Sequence, residues 1–277
     1  MANHQHKVNQ RLVLLYLPED PPQALIALGV VGAWQARLPD LAFDALCASE
    51  VKPLARHCES LRLVISRIES DKPYARDLQQ GNQLSAFGYS CSMALTTRLH
   101  PQLILRFARV KWRLGWKRPF SSLLLTRSFV PGDWQGLWRS FAPDLPFPAS
   151  PPVAKLSVNK AESHSAMLWL GLDKSNTLLI IADEPLDQAW LDALAKARKL
   201  GAHLLGCGKA ASEQNELRSL CANTLSSPYE HQALTALPSI RLVLGQSAAH
   251  QILANAYSLD YQDTTQAPPP NLIPGKS

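Results

Sequence analysis

Apolar blocks separated by proline, glycine and charged turns run through the whole chain, and their spacing predicts alternating strands and helices. Arg11–Leu17 is almost continuously apolar, as expected of a parallel strand buried on both faces. Pro18, Pro21 and Pro22 break it, and Gln23–Leu38 then carries Leu25, Leu28, Val31 and Ala36 at helix-like positions. Leu41–Leu46 and Leu61–Ile65 read as the next strands, with Val51–His57 a short helix between them. Met93–Leu95, Pro101–Ala108, Trp112–Leu114 and Ser122–Leu125 extend this β-α-β order, the pattern of a doubly wound sheet. The proline-rich stretch Phe141–Val153 interrupts it and marks a domain boundary.

Beyond the boundary the alternation resumes. Ala161–Leu170 is a helix, Thr177–Ala182 a buried strand and Leu186–Leu200 an amphipathic helix. His203–Cys207 and Ile240–Leu244 are strands, and Ser212–Leu220 and Ala248–Tyr257 helices. The pattern predicts an α/β protein with one lobe at residues 1–145, a second at 153–263 and a disordered tail at 264–277, where Pro268, Pro269 and Pro270 follow one another.

Hydrophobic content of 46% against 18% charged residues places the chain among globular proteins. Its apolar runs are strand-sized, well short of the roughly 20 residues that span a bilayer. The five cysteines form no CxxC pair, so neither a disulfide framework nor a zinc site is expected. With no signal-peptide pattern at the N-terminus, a cytoplasmic location is expected. Charge is uneven: residues 1–150 carry +7 and residues 151–277 carry −1. Tyr89–Val130 holds eight Lys or Arg and no acid, inside an acid-free window from Leu78 to Gly132. That run, including Arg109, Lys111, Arg113, Lys117 and Arg118, is either a docking surface for something anionic or a solvated charged face. No helix-turn-helix, zinc-finger or RNP signature accompanies it, so nucleic acid is not the expected partner. Absence of GxGxxG, Walker A, HExxH and GxSxG leaves cofactor redox, P-loop, zinc-peptidase and serine-hydrolase readings without support.

The same run, a Tyr-led strand, a small polar turn, an apolar helix, Arg113-Leu114-Gly115-Trp116 and then Leu123-Leu124-Leu125-Thr126-Arg127, resembles the lipopolysaccharide heptosyltransferases of glycosyltransferase family nine. There the stretch reads roughly "Y-D, strand, S-x-x-S-A-L-L, helix, R-x-G-W/F, then L-L-x-x-x-R". The similarity extends more weakly from Arg11 to about Leu259. It implies a GT-B-like fold, two Rossmann-like lobes facing a cleft, with acceptor bound by the first and donor by the second.

Carried over position by position, the resemblance marks three loops. The family's "S-x-x-G-D" loop, whose Asp acts as general base, corresponds to Leu17–Gln23; the Asp position falls on Pro22 or Gln23, neither of which can take a proton. Asp20 and Glu19 are the carboxylates that this loop offers instead, as a base or as solvated acids. The "G-x-x-x-E" segment, whose acid meets the donor ribose, corresponds to Gly206–Glu213, with Gly208, Lys209 and Glu213 as candidates. As a plain helix start, the same residues need no ligand. The "D-[ST]-G-x-x-H-x-A-A-A" segment corresponds to Gly245–His250, with Gln246, Ser247 and His250 kept as donor-binding candidates. The "K-x-W-P" loop shrinks to Asp183-Glu184-Pro185, two acids where the family has a phosphate-binding Lys.

By resemblance, then, the chain is a heptosyltransferase-like enzyme with an ADP-sugar as donor substrate and an anionic glycolipid as acceptor. It would work at the cytoplasmic face of the inner membrane and use no metal or separate cofactor. The alternative is a degenerate relative that binds nucleotide-sugar, lipid or a protein without turnover.

Overall fold

The structure is a computed structural model and describes residues 11–148, 152, 154–172, 176–269 and 272. It divides into two compact units, at Ala154 and Lys155. The part of the expected boundary at residues 149–151 and 153 lies outside the described residues.

The first unit runs β1 (Arg11–Tyr16), α1 (Pro21–Arg37), β2 (Leu41–Cys47), α2 (Lys52–Arg56), β3 (Leu61–Ser66), α3 (Pro73–Ser85), β4 (Cys91–Ala94), α4 (Leu99–Phe107), β5 (Trp112–Trp116), β6 (Arg127–Phe129) and α5 (Trp134–Phe141). Its six strands pair in the order 3-2-1-4-5-6, all parallel. The apolar run of β1, buried from Val13 to Tyr16, fits a parallel strand covered on both faces. On one face Trp34 of α1 stacks between Phe43 of β2 and Trp138 of α5, at 6.2 and 5.8 Å. The expected strand Ser122–Leu125 is instead a one-turn 3-10 helix, Ser121–Leu123, and the sixth strand lies later, at Arg127–Phe129. The amides of Leu124 and Leu125 are spent on the Ser121 carbonyl, which leaves them none for a sheet.

The second unit runs α6 (Lys160–Trp169), β7 (Thr177–Ile181), α7 (Gln188–Lys199), β8 (His203–Cys207), α8 (Lys209–Glu213), α9 (Asn215–Leu220), β9 (Asn223–Leu225), α10 (His231–Ala236), β10 (Leu242–Gly245), α11 (Ala248–Ala256) and β11 (Asp260–Asp263). Its five parallel strands pair in the order 11-10-7-8-9, with β7 buried along its whole length. The helix expected at Ser212–Leu220 is split at Gln214, whose backbone is extended. The segment from Thr264, expected to be a disordered tail, is anchored at Thr264, Gln266 and Leu272. Thr264 is buried, the Trp190 indole N–H donates to the Gln266 carbonyl at 2.7 Å, and Leu272 joins the core around Leu186, Trp190 and Leu194. An indole N–H taken out of water needs such a partner, so the chain is tied down there. Residues 270, 271 and 273–277 lie outside the described residues.

All five cysteines are unpaired. Burial pushes their thiols up, to about 11 for Cys47 and about 12 for Cys91 and Cys221. Among the described residues no helix is long and apolar enough to cross a membrane, and no cluster of His, Cys, Asp and Glu could hold a metal ion.

Candidate functional site

Open parallel sheets bind ligands beyond the carboxyl ends of their strands, where the strand order reverses. In the second unit that point lies between β7 and β10, because β8 and β9 follow β7 on one side and β10 and β11 lie on the other. Three chain segments meet there: Asp183–Leu186 after β7, Gly208–Lys209 after β8 and Gln246–Ser247 after β10.

Gln246 spans the reversal. Its carbonyl oxygen accepts from the backbone amides of Asp183 and Glu184 at 2.9 and 3.0 Å, and its amide nitrogen donates to the Glu184 carbonyl at 2.9 Å. Gln214 does the same farther along the loop, accepting from the Leu186 amide and donating to its carbonyl. The extended backbone that splits the expected helix is what aims Gln214 at this loop. Ser247 caps α11, its hydroxyl accepting from the His250 amide. The Tyr261 hydroxyl donates to the carbonyls of Gly245 and Ser247.

His250 is 5% exposed, and its ring is held at both nitrogens. Nδ1 accepts from the Gln246 amide at 3.1 Å, so Nε2 carries the proton and faces Asp183 Oδ2 at 3.3 Å. Gly245, where the family pattern has Asp, is required by this packing: a Cβ there would lie 2.6 Å from His250 Cβ. Gly208 has φ +96°, and a Cβ on it would meet the Ala182 carbonyl oxygen at 2.7 Å, so only glycine lets α8 begin this close to β7. Lys209 and Glu213 point along α8 toward each other, 3.9 Å apart and mostly exposed. The structure thus brings Gln246, Ser247, His250 and Gly208 together with Asp183, and leaves Lys209 and Glu213 at the margin. Asp183 and Tyr261 were not singled out as binding residues, because their contacts cross long stretches of sequence.

Burial lowers the His250 pKa, while Asp183 acts in the opposite direction. Histidine ordinarily titrates near about 6.5, so below that pH the unfolded chain binds more protons at this residue than the folded one. The stability it contributes is complete above that value and is lost as pH falls toward the lowered folded value. Melting temperatures recorded from about pH 7.5 down to about pH 5 should therefore fall more steeply for wild type than for His250→Gln. Parallel curves would remove His250 as the cause.

In the first unit the order reverses between β1 and β4. A pocket of about 460 Å³ opens there, lined among others by Pro18, Gln23, Thr96, Thr97, Trp116 and Trp134. Neither carboxylate of the β1 loop stands free. Asp20 caps α1, accepting from the Gln23 amide at 3.2 Å. Glu19 receives Arg67 on Oε1 at 2.5 Å and Arg98 on Oε2. Arg67 also donates to the buried Tyr16 hydroxyl at 3.3 Å. Expected as part of an anionic-surface site, Arg113 is turned inward. Its guanidinium donates to the carbonyls of Leu124 and Val110 at 2.6 and 2.5 Å, bracing the turn before β6, and burial lowers its pKa. Arg109 (φ +56°), Lys111 and Lys117 are exposed and Arg118 is partly so. Close to Lys117 and Arg118 in the chain stand Phe120, 79% exposed, and Leu123, 74% exposed.

No protein-family model matches the chain, and no curated protein matches its sequence. Solved structures do match its fold. ADP-heptose lipopolysaccharide heptosyltransferase II of E. coli superposes with a TM-score of 0.69 at 15% identity, over 90% of this chain and 83% of that one. A family nine glycosyl transferase of Veillonella parvula gives 0.71 at 8% identity, over 91% and 80%. E. coli heptosyltransferase WaaC with ADP-2-deoxy-2-fluoro heptose gives 0.62 at 13%, over 90% and 87%. Likeness at such identities speaks for the fold, and the chain has the α/β, GT-B-like fold of these glycosyltransferases.

Proposed function

We propose that the chain is a glycosyltransferase that moves a sugar, heptose by its likeness, from an ADP-sugar to an anionic glycolipid of the lipopolysaccharide-core kind. One observation carries this reading: the convergence of Ser247, His250, Gly208 and the glutamine-clasped Asp183–Leu186 loop at the strand-order reversal of the second sheet. The first-turn amides of α11 suit the departing diphosphate, since helix N-termini favour anions and fixed donors stabilise developing charge, and the Nε2–H of His250 would add a donor once Asp183 turns from it. Lys209 would add a positive charge, and Glu213 would accept the ribose hydroxyls after turning from Lys209. The solved WaaC carries ADP-2-deoxy-2-fluoro heptose, which motivates this choice of donor.

The exposed Lys111 and Lys117 and the partly exposed Arg118, with the protruding Phe120 and Leu123, suit an anionic membrane face. A cytoplasmic site of action at that face completes the proposal.

Calorimetric titration with ADP and ADP-heptose is the direct test, followed by transfer to lipopolysaccharide lacking heptose. ADP should bind, and Glu213→Ala should weaken it roughly tenfold, the equivalent of about one charged hydrogen bond. A chain that binds neither nucleotide is not a transferase of this kind. One that binds ADP-heptose and never turns over is the degenerate binder.

A further inference from the structure

Helix α3 carries two polar residues inward, Asp77 at 0% and Gln80 at 2% exposure. Gln80 accepts from the Ile68 amide at 2.7 Å and so pins α3 beside the end of β3. Both oxygens of Asp77 are occupied. Arg76 donates to Oδ1 through Nε and Nη2, each at 3.0 Å, and His100 Nδ1 lies 2.5 Å from Oδ2. An ionised carboxylate only accepts, so Nδ1 carries the hydrogen and Nε2 is left with the lone pair. The His100 side chain is 45% exposed, so that ring reaches solvent while its partner does not.

His100 sits in the first turn of α4, directly after the β4 loop whose Leu95, Thr96 and Thr97 line the pocket at the strand-order reversal. The carboxylates expected to act as base there are engaged, Glu19 by two guanidinium groups and Asp20 by the start of α1. We infer that His100 is the general base that takes the acceptor's proton, with Asp77 as its positioning residue; this rests on the glycosyl-transfer reading above.

A buried carboxylate on Nδ1 fixes tautomer and ring orientation and stabilises the imidazolium once it forms. Arg76 on Asp77, Arg98 and Arg67 on Glu19, and the N-terminus of α4 all oppose that positive charge. Asp77 touches the ring directly and is shielded from water, where a charge acts most strongly, whereas a helix terminus carries only about half a charge. In the step itself, Nε2 removes the hydroxyl proton and the oxygen's electron pair bonds to the anomeric carbon. The bond from that carbon to the diphosphate breaks, the nucleoside diphosphate leaves with the pair, and the imidazolium returns its proton to water.

The competing role is a tie between α3 and α4 with no part in chemistry. Turnover of ADP-heptose with heptose-free lipopolysaccharide separates the two. His100→Ala should lower kcat at least ~100-fold, the lower range for a positioned base, with ADP-heptose affinity unchanged and activity partly restored by free imidazole. Asp77→Asn should lower kcat without imidazole rescue and shift the ring nitrogens of His100 in 15N NMR toward the other tautomer. If Asp77→Asn does not fold, His100→Ala still decides, because its side chain is half exposed. Unchanged kcat in His100→Ala, or a loss of melting temperature alone in both variants, would overturn the inference. Wild type that binds ADP-heptose and never transfers would overturn the base but leave the donor site standing; wild type that does not bind it would overturn both.

Discussion

Trp34→Ala should destabilise the first unit by about 3–5 kcal/mol, the range for emptying a large buried aromatic site. Trp34 is fully buried and packs against Phe43, Trp138 and, at 5.2 Å, Phe141, so truncation leaves three rings without a face to pack on. Among the described residues its buried indole N–H has no hydrogen-bond partner. Trp34→Phe therefore removes an unsatisfied donor along with some volume, and should cost far less than the alanine change. Denaturant unfolding checks this, with the first unit's transition followed separately because two units need not unfold together. Equal losses in both variants would refute the packing account.

Asp44→Ala should cost about 3 kcal/mol or more, as breaking a buried ion pair does. Asp44 is wholly buried on β2, accepting from Arg62 Nε and Nη2 at 2.9 and 2.5 Å and from the Tyr89 hydroxyl at 2.7 Å. Arg62 is 43% exposed and can turn to water, which places the expectation at the lower end of the range. Tyr89 has less freedom, being buried, and burial together with the Asp44 charge already raises its pKa. Adding Tyr89→Phe to Asp44→Ala should recover part of the loss, since no hydroxyl is then stranded. A double variant no more stable than Asp44→Ala would refute this role for the tyrosine.

Strands such as β1, β7 and β8 were legible because a parallel strand covered on both faces needs apolar residues at every position. The short edge strands β9 (Asn-Thr-Leu) and β11 (Asp-Tyr-Gln-Asp) carry no such signal and were missed. Helix α3 was missed for the opposite reason. Two of its inward residues are Asp77 and Gln80, so the apolar stripe that announces a helix is broken where the structure is most specific. The Asp77 and His100 pair was thus illegible, whereas Ser247 and His250 were singled out through the resemblance. Nor could the roles of Gln214 and Gln246 be read, since their partners lie 28 and 62 or 63 residues away. Reading the basic run as surface failed at Arg113 because a guanidinium can brace backbone carbonyls as readily as it meets a lipid.

The two glutamine clasps bear on kinetics. For the Asp183–Leu186 segment to swing aside as a lid, the three hydrogen bonds of Gln246 must break together. At about 1 kcal/mol each, such an opening is populated at the percent level or below. The rim of the crevice at the β7–β10 reversal is therefore already in place before a ligand arrives. Entry and release at that point would be set by diffusion and by the ligand's own contacts, and little binding energy would go into ordering the loop.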